Sequence, residues 1–120
     1  MATILIVEDE DFIRQIAGWT IDDMGHRTLL AGNVSDALSI LSTPQSIHAL
    51  FVDIRLHALI FGGYDVADQA IKLLPELRVL YTSGSPLTAE MRSRFVDGGR
   101  FLQKPYSPEA LEVSVSALLH

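Results

Sequence analysis

The chain has 120 residues, nine basic and fifteen acidic, for a net charge of −6; 48% are hydrophobic and none is cysteine. That length fits one domain able to bury roughly two-thirds of its unfolded surface, and the apolar content excludes disorder. The acidic balance argues against nucleic acid as a direct partner. The missing cysteines exclude disulfides, thiolate zinc sites and a cysteine nucleophile.

Periodicity alternates between strands and helices along the chain. Ile4 to Val7 reads as the first strand. Ile13, Ile16, Ala17, Thr20, Ile21 and Met24 then recur at helical spacing, ended by Gly25. Arg27 to Ala31 is a short second strand. Asn33 or Ser35 caps a helix whose inner face is Ala37, Leu38 and Leu41, closed by Pro44. Ala49 to Val52 is a continuous apolar run, as in a strand covered on both faces. Val66, Ala67, Ala70, Ile71 and Leu74 form the inner stripe of a third helix that stops before Pro75.

Val79 to Tyr81 forms the fourth strand. A fourth helix is expected over Thr88 to Val96, with a thin apolar face of Met91, Phe95 and Val96, ending at Gly98-Gly99. The fifth strand spans about Arg100 to Gln103. The last helix has Ser107 as cap, Pro108 at its first position and Glu109 in its first turn, with Leu111, Val115 and Leu118 inward. Five strands alternating with five helices predict a doubly wound α/β domain over residues 1–120, with helices on both faces of a parallel sheet. No apolar run approaches the roughly 18 residues of a membrane span, and no signal peptide precedes the first strand, so the expected location is the cytoplasm.

Four strands run into polar residues suited to phosphoryl chemistry: Glu8-Asp9, Asp53, Thr82-Ser83 and Lys104-Pro105. Ligands of open parallel sheets bind outside the carboxyl ends of the strands, so these residues imply one pocket. Asp9 and Asp53 would repel unless a cation lay between them, and the available oxygen ligands suit Mg²⁺, with Mn²⁺ as the alternative. Glu8 is read as holding a metal-bound water. Asp53 itself has three readings: metal ligand, general base, or nucleophile toward phosphorus. Thr82 can donate to a phosphoryl oxygen, and Lys104 supplies a second positive charge. Each part has a plain alternative (acids at a helix start, a turn, a strand end), and the combination is far more specific than any part.

The segments Leu5-Ile6-Val7-Glu8-Asp9-Glu10, Phe51-Val52-Asp53-Ile54, Tyr81-Thr82-Ser83-Gly84 and Lys104-Pro105-Tyr106 resemble the signature segments of response-regulator receiver domains, in order and with that family's spacing. The resemblance implies a flavodoxin-like fold with strand order 2-1-3-4-5. It implies that Asp53 accepts a phosphoryl group from a phosphohistidine on a sensor histidine kinase or a histidine phosphotransfer protein. Asp9, Asp53 and the backbone carbonyl of Arg55 would ligate Mg²⁺, with Glu8 acting through water. Thr82 would turn toward the phosphoryl group and Lys104 would pair with it. The Lys104–Pro105 bond would be cis, and Phe101 would match the switch aromatic, without the hydroxyl of the commoner Tyr.

The loop after Asp53 departs from the family. His57 stands where Pro is usual, and the loop is longer and more apolar than the common form. Either Ala58 to Phe61 contacts a partner or a second copy, or these side chains fold back over the third helix. His57 is read as a solvated loop histidine, and His26, His48 and His120 show no ligand spacing. Arg55 occupies a position that tunes acyl-phosphate lifetime in the family.

The resulting expectation is a stand-alone regulator that catalyses only its own phosphorylation and dephosphorylation. It would signal through protein contacts on the face of the fourth helix, fifth strand and fifth helix, with a homodimer left open. A receiver-like scaffold working without phosphorylation is the first rival. An aspartyl phosphatase of the haloacid dehalogenase type would usually carry an acid where Arg55 stands. A flavodoxin-like nucleotide binder would need a Gly-rich loop after the first strand, absent here.

Overall fold

A computed structural model describes residues 1–120. Its elements follow in strict alternation: β1 (Thr3–Val7), α1 (Asp11–Asp23), β2 (Arg27–Ala31), α2 (Val34–Leu41), β3 (Ala49–Asp53), α3 (Gly62–Leu73), β4 (Arg78–Ser83), α4 (Ala89–Ser93), β5 (Arg100–Gln103) and α5 (Pro108–Leu119). The strands form one parallel sheet in the order β2-β1-β3-β4-β5, as the alternation and the resemblance implied.

Because side chains alternate across a strand, each strand contributes to two cores. Leu5, Val7, Leu50, Val52, Val79 and Tyr81 face α2 and α3. Ile4, Ile6, Ala49, Phe51 and Leu80 face α1 and α5, where Ala17, Ile21, Leu111, Val115 and Leu118 complete the second core. Every residue of β1 and β3 is buried, which is why these segments read as unbroken apolar runs. Of the two caps offered for α2 it is Asn33 that accepts, from the Asp36 N–H, and Ser107 accepts from Ala110 as expected; Thr88, read only as the start of the fourth helix, is its cap and accepts from Met91. Each such cap is worth about 1 kcal/mol. Along α3, Val66, Ala67 and Ala70 are buried as expected, while Ile71 and Leu74 are only half-buried.

The fourth helix is shorter than its sequence suggests, ending at Ser93 rather than Val96. The reason is tertiary. The Val96 N–H donates to the Tyr81 hydroxyl at 3.0 Å, and the Phe95 ring stacks on Tyr81 with centroids 4.2 Å apart. The chain is drawn off the helix axis onto β4, and Gly98 then turns at φ +75°.

The start of α3 is held tightly against the end of β3. The Gly63 N–H donates to the Ile54 carbonyl at 2.8 Å. A Cβ on Gly63 would lie 2.2 Å from the Asp53 carbonyl oxygen and 2.6 Å from the Ile54 Cα, so no larger residue fits. That contact fixes the backbone at Asp53. At the other end of the sheet, His26 Nδ1 accepts the Ala2 N–H at 3.0 Å and His48 Nδ1 the Thr3 N–H at 2.9 Å, pinning the start of β1. No helix is long and apolar enough to cross a membrane.

Candidate functional site

Strand order 2-1-3 places the crevice for ligands where β1 and β3 lie side by side and their connections diverge. Glu8 and Asp9 leave β1 there, and Asp53 ends β3. One carboxylate oxygen from each of Glu8, Asp9 and Asp53 lies within 4.8 Å of the others. Glu8 and Asp53 are buried, at 3% and 6% exposure, and Asp9 is half-buried.

Lys104 reaches this cluster from the end of β5, where its N–H donates to the Ser83 carbonyl at 2.9 Å. Its Nζ lies 2.7 Å from Asp53 Oδ2 and 2.5 Å from Glu8 Oε1. The bond from Lys104 to Pro105 is cis. Thr82 is the ladder partner of Asp53 on β4, so its side chain emerges on the same face about 4.8 Å away. The Thr82 hydroxyl is buried and has no hydrogen-bond partner. Arg55 follows Asp53 as an exposed residue, and its carbonyl accepts no hydrogen bond within the chain.

Three carboxylates face one ammonium. Burial pushes the Glu8 carboxyl up to about 7 and the Asp53 charge adds to this, although the Lys104 hydrogen bond opposes it. Burial works to lower the Lys104 pKa, but hydrogen bonds to Asp53 and Glu8 raise it overall. For Asp9 burial is outweighed by hydrogen bonds, first that of the His57 N–H, and its pKa falls. The excess negative charge, together with an all-oxygen donor set, is the environment that a hard divalent cation fits.

The loop from Leu56 to Phe61 frames one side. Leu56 is buried and exchanges two backbone hydrogen bonds of 3.0 Å with Leu59, closing a tight turn. His57 sits in that turn at φ +56° and donates its N–H to Asp9 Oδ2 at 2.9 Å. The imidazole is exposed but engaged rather than merely solvated: Nε2 lies 3.2 Å from the Gly32 carbonyl and Nδ1 3.8 Å from Asp9 Oδ2. Leu59 and Ile60 are more than half exposed; Phe61 is too, but its ring lies against Tyr64 of α3, with centroids 5.9 Å apart. The Arg94 guanidinium covers the rings of both Phe61, at 5.2 Å, and Tyr64, at 4.6 Å. Phe101 is half-buried against Phe95, with centroids 6.3 Å apart.

A cavity of about 500 Å³ lies beside Lys104, lined by Phe12, Ile13, Ile16, Gly84, Pro105 and Tyr106. A larger one, about 1090 Å³, lies at the opposite end of the sheet among His26, His48 and Arg78, away from the acidic cluster. Convergent chemistry rather than volume therefore locates the site.

The family model for the response regulator receiver domain matches residues 4–116. The chain belongs to that family. It is thus a receiver domain of two-component signalling. Among solved structures it resembles a response regulator receiver protein from Sinorhizobium medicae (28% identity, TM-score 0.88, covering 98% of this chain and 94% of that one). It also resembles NtrX from Brucella abortus (29% identity, TM-score 0.86, 98% of this chain and 27% of that one). A putative NtrX-like response regulator of Rickettsia felis is 29% identical over 112 residues, 92% of this chain and 23% of the relative. A probable transcriptional regulator, ycf27, of Cyanidium caldarium is 27% identical over 116 residues, 97% of this chain and 45% of the relative. The receiver spans less than half the length of these two relatives.

Of the residues singled out in the sequence, the fold brings Glu8, Asp9, Asp53, Thr82 and Lys104 together. The engagement of His57 with Asp9 and Gly32 was missed. Its replacement of the usual Pro was the only signal for it in the sequence.

Proposed function

We propose that this receiver accepts a phosphoryl group on Asp53 from a phosphohistidine of a sensor histidine kinase or histidine phosphotransfer protein. It then signals through protein contacts made by α4, β5 and α5. Lys104 holds Asp53 Oδ2, which leaves Oδ1 free to attack phosphorus. The phosphorus–nitrogen bond of the donor breaks, its electron pair stays on the imidazole, and an acyl phosphate forms on Asp53. Lys104 then stands beside the transferred group to balance its charge. Asp9, Asp53 and the Arg55 carbonyl would hold Mg²⁺ or Mn²⁺, with Glu8 behind a bound water. The cation supplies positive charge for the phosphoryl oxygens.

The Thr82 hydroxyl carries the reading. A buried hydroxyl without a partner costs roughly 1–3 kcal/mol. Thr82 is the ladder partner of Asp53, and turning its hydroxyl to donate to a phosphoryl oxygen there would draw Thr82 toward Asp53. The space so opened beside β4 favours inward rotation of Phe101, by burial alone since it has no hydroxyl. The receiver is in this reading an acceptor that turns over no separate substrate.

The test is intact mass after incubation with Mg²⁺ and acetyl phosphate, on wild type and Asp53→Asn. Mass is preferred to fluorescence, because Trp19 is more than half exposed on α1. A cation-dependent gain of one phosphoryl group, lost in Asp53→Asn, is expected. No gain from a folded, cation-bound protein would retire the proposal in favour of a scaffold that works without phosphorylation.

A further inference from the structure

Glu8, one residue past β1, has a carbonyl with no backbone partner in the sheet. Register pairs Val7 with Ala31, and the Glu8 N–H still reaches the Ala31 carbonyl at 3.1 Å. Were the parallel ladder to continue, the Glu8 carbonyl would next accept from the N–H of residue 33. The chain instead leaves the sheet at Gly32, and Asn33 caps α2. Arg14 supplies the missing donor from α1. Its Nη1 donates to the Glu8 carbonyl at 2.8 Å, and its Nη2 donates to Asp11 Oδ1 at 2.6 Å.

Room for that contact exists because residue 32 has no side chain. A Cβ on Gly32 would lie 3.0 Å from Arg14 Nη1 and 3.6 Å from its Cζ. Holding Glu8 at both its N–H and its carbonyl fixes the peptide planes on either side of its Cα. The plane that contains the Glu8 carbonyl also contains the Asp9 nitrogen and Cα, so rotating it would swing both acids. Arg14 thus grips the one peptide that joins the two, while the His57 N–H holds Asp9 at its carboxylate.

We propose that Arg14 is a positioning residue for the cation site: through the Glu8 carbonyl it sets where Glu8 and Asp9 present their carboxylates, and the bare Cα of Gly32 admits it. The proposal rests on the reading that Glu8, Asp9 and Asp53 bind a divalent cation. Arg14 touches neither the ion nor the three carboxylates, since its charge is paired with the exposed Asp11. Its effect is geometric. Groups that orient metal ligands from behind act on affinity in this way.

The test compares Mn²⁺ binding, followed by loss of the aqua-ion electron paramagnetic resonance signal, in wild type and Arg14→Met, which keeps the aliphatic stem and loses the donors. Affinity is expected to fall about tenfold, the lower end for a residue that orients a metal ligand. Gly32→Ala crowds the guanidinium from the other side and should give a smaller loss. Combined with Arg14→Met it should bind no more weakly than Arg14→Met alone, because both act on one contact. Val115→Ala opens the core between α5 and the sheet, away from the acids, and lowers stability while keeping wild-type affinity. Wild-type affinity in folded Arg14→Met, or an equal loss in Val115→Ala, would overturn the role of Arg14 and leave the cation site intact. Should Arg14→Met not fold, wild-type affinity in Gly32→Ala overturns it equally. Failure of the wild type to bind Mn²⁺ would remove the cation reading itself.

Discussion

Replacing Thr82 with Val separates stability from signalling at one atom. Thr82 is 2% exposed and its hydroxyl has no partner, whereas its methyl group packs like that of Val. An unpaired buried hydroxyl costs roughly 1–3 kcal/mol. Allowing for relaxation of the native site, Thr82→Val should be more stable by about 1 kcal/mol, toward the lower end of that range. With a urea dependence of about 2 kcal/mol per molar, the unfolding midpoint rises by about 0.5 M. The same change removes a donor to a charged phosphoryl oxygen, a bond worth about 1.5–3 kcal/mol. If that bond is formed at the transition state, phosphoryl gain on Asp53 slows about ten- to a hundredfold. Urea unfolding without added cation reads the first effect, and time-resolved intact mass reads the second. Thr82→Ser, which keeps the hydroxyl, should retain the wild-type rate. A Val variant less stable than wild type by 1 kcal/mol or more (about the worth of a hydrogen bond) would mean that the hydroxyl is already bonded. Unchanged phosphoryl gain would mean that it never meets the phosphoryl group.

Three further predictions test the framework around the site. Gly63→Ala drives a Cβ into the main chain of Asp53 and Ile54, with the nearest atom at 2.2 Å. It should cost at least the upper end of the roughly 1–3 kcal/mol typical of overpacking. Gly84→Ala, with nothing within 4 Å of its Cβ, should stay within about 0.5 kcal/mol of wild type; equal urea midpoints for the two variants would refute the close approach. Burial pushes Tyr81 and Tyr106 up to about 12 and raises Tyr64 as well. The native state then holds more protons than the unfolded chain between pH about 10 and 12, so stability falls as pH rises through that window. Ultraviolet titration should show little tyrosinate at pH 10 before unfolding, and ordinary half-ionisation there would contradict the packing. Ile60→Ser should alter unfolding free energy by no more than about 0.5 kcal/mol, because the side chain is 58% exposed. A loss several times larger would place the loop back over α3 in solution.

The legible parts of this receiver are those in which one residue type has one physical use. Buried parallel strands must be apolar throughout, so Ile4 to Val7 and Ala49 to Val52 identified themselves. Their polar ends could be placed in one crevice by topology alone, and Glu8, Asp9, Asp53, Thr82 and Lys104 meet there. The Ser107 cap was equally readable and the α2 cap was narrowed to Asn33 or Ser35, since such residues satisfy an N–H that helix geometry leaves open. The end of α4 was not, because it depends on whether the Val96 N–H finds a carbonyl one turn back or the Tyr81 hydroxyl fifteen residues away. Local spacing favours the first, and only the packed sheet supplies the second.

The loop beyond Asp53 shows the same limit in a sharper form. Its apolar composition fits a covered segment, yet four of its backbone groups are satisfied by the two hydrogen bonds of the Leu56–Leu59 turn, and one N–H reaches Asp9, forty-eight residues earlier. These bonds leave Leu59 and Ile60 exposed and hold the His57 N–H on Asp9. A histidine in place of the usual proline supplies an N–H that proline lacks, and that N–H is what Asp9 accepts. The departure from the family pattern therefore acts on the site itself. Whatever the imidazole adds, the backbone at residue 57 already ties the orientation of Asp9 to the conformation of an exposed apolar loop. A contact that moved that loop would disturb the carboxylate next to which Asp53 must work.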